Sequence, residues 1–183
     1  DRPLEAATQL EIARRLGVAQ PNALALLGDL YVGLGFIPEA IAVYESFPAG
    51  SSDLGTERLI TYARSLVYKG DLEQARRILG KIPASSQWEI AKPRYFALAE
   101  LATAEENWED AQFAFQGILQ KEPLNPFALL GAGSVFEQAG DTARAEFTFD
   151  FALQVPESEH RASLELANIA LLQSNFERAV HFL

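Results

Sequence analysis

Large apolar side chains recur along this chain in short runs at steps of four and three residues, and each run opens on an alanine. The six alanines are spaced 34 to 36 residues apart: Ala6, Ala40, Ala75, Ala111, Ala145 and Ala179. Four residues after them come Leu10, Tyr44, Leu79, Phe115, Phe149 and Leu183. Steps of four and three keep side chains on one face of a helix. The pattern therefore predicts one amphipathic helix per repeat, which we call the second helix.

A first helix is predicted before five of the alanines. The residue twelve positions earlier is always small: Gly28, Ala63, Ala99, Gly133 or Ala167. Small residues allow two helix axes to approach closely, so each first helix is expected to pack against its own second helix.

A turn is predicted five residues before each of these alanines, at Gly35, Gly70, Glu106, Gly140 and Ser174. Glycine can adopt the left-handed conformation that ends a helix, and a following Asp or Asn can cap the next one. Both the glycine and the capping residue are present in "KGDLEQA" (69–75) and "AGDTARA" (139–145), whereas "GFIPEA" and "ENWEDA" each contain only one of the two.

These residues resemble the tetratricopeptide repeat family, and the segment "LLGDLYVGLGFIPEAIAVYESF" (26–47) is the clearest match. The family motif places Leu-Gly-x-x-Tyr on the first helix, Gly-Asp or Gly-Asn at the turn, and Ala-x-x-x-Tyr/Phe-x-x-Ala on the second helix. The resemblance implies an all-α fold, a right-handed superhelical solenoid of antiparallel helix pairs. The motif recurs in register over nearly the whole chain.

The spacing predicts a single array over residues 1–183. Its parts are a lone second helix (1–20), four repeats (21–55, 56–91, 92–125 and 126–159) and a truncated repeat (160–183). The proline that follows a second helix in the family is well placed at Pro123, slightly early at Pro156 and clearly early at Pro48 and Pro83, which predicts irregular joints. Neither end resembles the polar cap that a repeat array needs, and methionine is absent, so we expect a piece of a longer protein.

Composition narrows the function. A content of 49% hydrophobic and 22% charged residues favours a folded core over disorder. The net charge of −10 argues against a nucleic-acid partner, because the phosphate backbone requires a basic face. Without cysteine the chain has no disulfide, thiolate nucleophile or cysteine metal site, but cytoplasmic and bacterial periplasmic locations both remain open.

The sequence offers little catalytic chemistry. His160 and His181 have no partner at metal-ligand spacing, and the glycine-containing stretches lack the lysine of a phosphate-binding loop. Acidic pairs at Glu105-Glu106 and Glu109-Asp110 are explained by the dipole at a helix N-terminus. We therefore predict no catalytic residue, no metal and no cofactor.

The family resemblance implies that first helices line a concave groove that binds a peptide or a partner-protein segment with apolar anchors. Carried onto this sequence, one row is apolar: Ala25, Ile60, Phe96, Leu130 and Leu164. The row one turn further along is polar: Asp29, Arg64, Glu100, Ser134 and Asn168. Tyr68, Val67, Phe127 and Leu171 flank the rows. Two alternatives stay open, namely that the apolar row packs against the next repeat and that Arg64 forms a salt bridge to a neighbouring repeat.

Some family members hold a partner's terminal carboxylate with lysines and asparagines. Here Asp29 and Glu100 occupy positions where a lysine or asparagine would be needed, which disfavours a partner held by its C-terminal carboxylate. Trp88 lies in the longest joint (82–96) and is expected to fill a seam between repeats, or else to contact a partner. Trp108 is expected in the core.

Two functions of different class follow. The first is a protein-interaction scaffold, which is not itself an enzyme. The second is a targeting or assembly arm of a larger enzyme or of a secretion or envelope machine. Uncapped ends also make end-to-end self-association possible.

Overall fold

The computed structural model describes residues 2–47, 52–82, 84–85 and 87–183. Across these ranges the regular structure consists of eleven α-helices without a β-strand, which confirms the all-α prediction. The helices are α1 (Arg2–Arg15), α2 (Pro21–Leu34), α3 (Ile37–Glu45), α4 (Ser52–Lys69), α5 (Leu72–Lys81), α6 (Trp88–Ala104), α7 (Trp108–Leu119), α8 (Pro126–Gln138), α9 (Thr142–Ala152), α10 (Glu159–Leu172) and α11 (Phe176–Phe182).

Helices pack in consecutive antiparallel pairs, as the repeat pattern predicts. The pairs are α2 with α3, α4 with α5, α8 with α9, and α10 with α11. Helices α6 and α7 meet through the rings of Phe96 and Phe115, whose centroids are 6.5 Å apart. Helix α1 packs on α2 and has no described helix before it. The chain divides into two compact units, residues 1–93 and 94–183.

The turn inside every pair has the same backbone conformation. Gly35, Gly70 and Gly140 have φ values of 81°, 82° and 79°. Glu106 and Ser174 occupy the same left-handed region at 56° and 60°. The two turns without glycine therefore adopt the glycine geometry at a cost in backbone strain.

A polar cap follows four of these five turns. The Asp or Asn side chain accepts the backbone N–H three residues later, and the capping residues are Asp71, Asn107, Asp141 and Asn175. Phe36, which occupies this place in the first pair, makes no such bond. "ENWEDA" is thus a fully capped turn, although its sequence matches the family pattern only in part.

The predicted close approach of first and second helices is confirmed where glycine occupies the small position. A Cβ added at Gly28 would lie 2.2 Å from the Tyr44 ring, and one at Gly133 would lie 2.4 Å from the Phe149 ring. Phe149 is fully buried in a cluster with residues such as Leu129, Leu166 and Ile169. The aromatic rings therefore rest directly on the backbone of the facing helix.

The first predicted repeat alanine is wrong by one position. Ala6 is exposed and Ala7 is buried. The other five repeat alanines are buried, each against a first helix of its own. In the described residues α1 packs against α2, the first helix of the following pair.

The joint around Trp88 is shorter than predicted. Helix α6 begins at Trp88 and runs through Pro93, so Trp88 is part of a helix and is half-buried. Trp108 is also half-buried at the first residue of α7, whereas we expected a core position. Pro48 and Pro83 lie outside the described residues.

Candidate partner-binding surface

Three residues of the predicted apolar groove row lie in the interior. Ala25, Ile60 and Leu130 are all buried, and Leu130 belongs to the core cluster of residues 94–183. They therefore cannot offer surface to a partner, which corrects that part of the groove prediction. The alternative of packing between helices accounts for them, since α2 contacts α4 as well as α3.

The remaining apolar candidates are accessible to different degrees. Phe96 is half-buried and turns its ring edge-to-face toward Phe115. Leu164, Phe127 and Tyr68 are exposed, and Tyr68 reaches 93% exposure. Exposed aromatic side chains are frequent anchors of interfaces.

One member of the polar row, Asp29, lines a cavity between the first helices α2 and α4. The cavity has a volume of about 180 Å³ and is lined by Asp29, Val32, Tyr44, Arg58, Thr61, Tyr62 and Ser65. Arg58 Nη1 lies 3.2 Å from Asp29 Oδ2, and the Tyr44 hydroxyl donates to Asp29 Oδ1 at 2.6 Å. Both charged side chains stay about half accessible, with exposures of 41% for Asp29 and 43% for Arg58.

Tyr44 joins this site to the core behind it. Its ring fills the space over Gly28, and its hydroxyl reaches Asp29. Burial, followed by the hydrogen bond to Asp29, raises the pKa of Tyr44 well above its usual value. The hydroxyl therefore stays protonated and fixes one oxygen of Asp29, which leaves the other oxygen to Arg58.

The other residues of the polar row differ in their accessibility to solvent and do not join this cavity. Arg64 is exposed, but the cation beside Asp29 is Arg58. Glu100 and Ser134 are half-buried, and Asn168 is exposed. In residues 94–183, two further acids lie on first helices, Glu137 on α8 and Glu165 on α10. Burial, followed by the neighbouring carboxylate of Glu165, raises the pKa of Glu137.

Sequence reasoning missed Arg58, Thr61, Tyr62 and Ser65 as members of one surface. Their spacing of three and four residues places them on one face of α4. That periodicity could have identified them in the sequence as one polar surface. It did not predict the site because Arg58 lies six residues before Arg64, the residue of α4 that matches Asp29 in the repeat, so the two members of the ion pair occupy different repeat positions.

The described part of the chain contains no cluster of three His, Cys, Asp or Glu side chains that could hold a metal ion. In the same residues, no helix combines the length and the apolar character needed to span a bilayer.

A family sequence model described as "Tetratricopeptide repeat" matches residues 96–154. Residues 96–154 therefore resemble tetratricopeptide repeats. Such repeats bind protein partners, and proteins of the family are generally non-catalytic scaffolds. A search of curated protein sequences finds no significant match.

Solved structures share the tetratricopeptide fold over nearly the whole chain. A tetratricopeptide repeat protein from Parabacteroides merdae is 18% identical, with a TM-score of 0.56 over 99% of this chain and 70% of its own. PilW, a type IV pilus biogenesis factor, is 16% identical, with a TM-score of 0.68 over 98% and 82%. BtubC from P. vanneervenii is 17% identical, with a TM-score of 0.70 over 99% and 86%.

Proposed function

We propose that this tetratricopeptide repeat chain is a scaffold that holds a peptide or partner-protein segment on the face formed by its first helices. The observation that carries the proposal is the half-exposed ion pair of Asp29 and Arg58 in the cavity between α2 and α4. Exposed ion pairs contribute little to folding stability. This pair can therefore exchange partners at little cost when a ligand arrives.

The cavity can recognise one side chain and a short stretch of backbone. Thr61 and Ser65 offer hydroxyls, and Val32 and the Tyr62 ring offer an apolar wall. A volume of about 180 Å³ accommodates one side chain of medium size. Arg58 would then bind a carbonyl or a carboxylate of the partner through its planar group of donors.

The first-helix face of residues 94–183 favours a different charge. Glu137 and Glu165 repel one another there, and the repulsion contributes to the raised pKa of Glu137. A lysine or arginine of the partner would relieve that repulsion. Phe127 and Leu164, both exposed first-helix residues, supply apolar contacts on the same unit.

The experiment is a comparative capture with the intact chain, an Arg58→Glu variant and an Arg76→Glu control on the exposed face of α5. Quantitative mass spectrometry would rank the captured proteins, and the segment bound by the top candidate would be synthesised and titrated. We expect Arg58→Glu to weaken that segment roughly tenfold and Arg76→Glu to leave it nearly unchanged. Equal affinities for all three proteins would contradict the proposed site.

A second function has one specific observation in its favour. PilW, which shares the fold at a TM-score of 0.68, is a type IV pilus biogenesis factor. The same first-helix face could accordingly serve as an assembly arm of a larger envelope machine. In either role we propose that the chain binds without catalysing a reaction. Turnover that persists through rigorous purification would refute that statement.

A further inference from the structure

The second helices of the two units carry different side chains at matching repeat positions. In residues 1–93 a cavity of about 210 Å³ lies between α3 and α5. Its lining includes Ala42, Glu45, Arg77 and Lys81, and the Lys81 ammonium lies 2.9 Å from the Glu45 carboxylate. Isoleucines such as Ile41 and Ile78 also line this groove, which therefore has a mixed lining and is bridged by an ion pair.

The repeat register shows which residues take these places on α7 and α9. Counted from the buried alanine of each helix, Ala42 corresponds to Phe113, Arg77 to Phe147, and Lys81 to Phe151. Glu45 corresponds to Gln116, so both members of the bridging ion pair are replaced. Three phenylalanines thus stand where the first unit has alanine, arginine and lysine.

These phenylalanines are not part of the core. Phe113 is 70% exposed, Phe147 is 65% exposed and Phe151 is 38% exposed. Phe147 and Phe151 stack edge-to-face with centroids 4.9 Å apart, so they form one apolar ridge on α9. Exposing three large rings to water is unfavourable, and grouped exposed apolar side chains commonly mark interaction surfaces.

Charge indicates what the surface binds. Residues 94–183 contain 14 Asp and Glu against 5 Lys and Arg, a net charge of −9, whereas residues 1–93 contain 11 against 10, a net charge of −1. Exposed acids also flank the rings, with Glu109 one turn before Phe113 and Asp150 between Phe147 and Phe151. The nearby cation Arg144 is paired with Asp141 and lies over the Phe136 ring.

We infer that Phe113, Phe147 and Phe151 form a second docking surface, separate from the first-helix face, for an amphipathic helix of net positive charge from another protein. Apolar side chains at helical spacing would pack on the rings, and flanking lysines or arginines would face the acids. The charge of −9 disfavours a second copy of the chain, and it likewise disfavours an anionic membrane.

The test uses two synthetic helical peptides of about 18 residues, which give a helix of about 27 Å. Both carry leucine at the same i, i+3, i+4 and i+7 positions, and the remaining positions are mostly lysine in one peptide and mostly glutamate in the other. Fluorescence anisotropy of labelled peptides would measure their affinity for the whole chain. We expect binding of the lysine peptide alone, with affinity falling several-fold between about 50 and 200 mM salt.

Two variants locate the binding. Phe113→Ser/Phe147→Ser/Phe151→Ser should weaken the lysine peptide roughly tenfold or more, with an unchanged circular dichroism spectrum because the rings are exposed. The matched control Leu16→Ser/Val18→Ser replaces two exposed apolar side chains in the connection after α1, outside both proposed surfaces, and should bind as the parent does. A loss confined to Tyr68→Ser/Phe127→Ser, on first helices, would overturn the inference and assign the peptide to the first-helix face.

Other results would also overturn the inference. One is that the glutamate peptide binds as tightly as the lysine peptide. Another is that the lysine peptide shows no binding at concentrations up to about 1 mM, since a Kd of 1 mM corresponds to only about −4 kcal/mol. Sedimentation that shows a dimer abolished by the triple variant would mean that a second copy occupies the surface. Ring-dependent binding to phosphatidylserine vesicles would mean that a membrane does.

Discussion

The contact between Gly133 and Phe149 offers the sharpest test of the packing, through the substitution Gly133→Ala. Two effects oppose each other. Alanine is the better helix former and would stabilise an exposed helical site by about 0.5 to 1 kcal/mol. At Gly133, however, the new methyl would lie 2.4 Å from the Phe149 ring, far inside van der Waals contact.

Phe149 cannot move away easily, because it is fully buried and surrounded by the core cluster of residues 94–183. Inserting a methylene into a packed core costs about 1 to 3 kcal/mol. Subtracting the gain in helix propensity leaves an expected net loss of up to about 2.5 kcal/mol relative to the parent. For a chain of 183 residues this corresponds to a melting temperature lower by up to roughly 10 °C.

The assay is thermal unfolding followed by circular dichroism, with urea unfolding as a second measure. Gly33→Ala is the matched control, since Gly33 is also helical and an added Cβ there meets nothing within 4 Å. The control should be neutral or slightly stabilised. A further substitution, Phe149→Leu, should recover part of the loss when placed on Gly133→Ala. If Gly133→Ala were as stable as the control, the close approach of α8 and α9 would be refuted.

Three further predictions concern individual positions. Ala75→Leu should cost roughly 1 to 3 kcal/mol, because Ala75 is fully buried, and an unchanged melting temperature would contradict its place in the core. Glu106→Gly should stabilise by about 0.5 to 1 kcal/mol in urea unfolding, since it relieves a φ of 56°; a loss of stability would show that the turn is not strained. Hydrogen bonding to Arg14, with a further contribution from Arg15, lowers the pKa of Glu11 from 4.5 to about 2. The stabilisation from Glu11 is therefore present above about pH 4.5 and is lost as the pH falls through about 2. Melting curves of Glu11→Gln should lie below the parent at pH 7 and meet it near pH 2, and a constant difference across that range would count against the ion pairs.

The repeat pattern was sufficient to predict the helix pairs, because the residues that define them act locally. Spacing alone predicted that small residues such as Gly28 and Gly133 allow the helices to approach closely, but not that the rings of Tyr44 and Phe149 lie against them. The left-handed turns at Glu106 and Ser174 were less evident from residue type, since neither is glycine. There the pairing of two helices imposes a conformation that the residue itself disfavours.

The candidate site was predictable only in part, because accessibility depends on neighbouring helices. Ala25, Ile60 and Leu130 lie on the expected rows but are covered, whereas Tyr68 and Phe127 remain open. Arg58 pairs with Asp29 although it lies six residues before the position of α4 that matches Asp29, and the repeat register does not show how neighbouring first helices are offset. Periodicity assigns a residue to a face of its helix, and packing decides whether that face meets solvent.

The five left-handed turns also bear on how this chain tolerates insertions and deletions. Each lies five residues before its buried alanine, although the alanines themselves are 34 to 36 residues apart. All variation in repeat length therefore falls outside the turn and the start of the second helix. A residue added within a turn would shift the caps and the buried face together, whereas one added between pairs, for example beside the exposed Leu124, would fall between the capping residues Gln120 and Asn125. Sites for inserted tags or spectroscopic probes should be chosen in those connections.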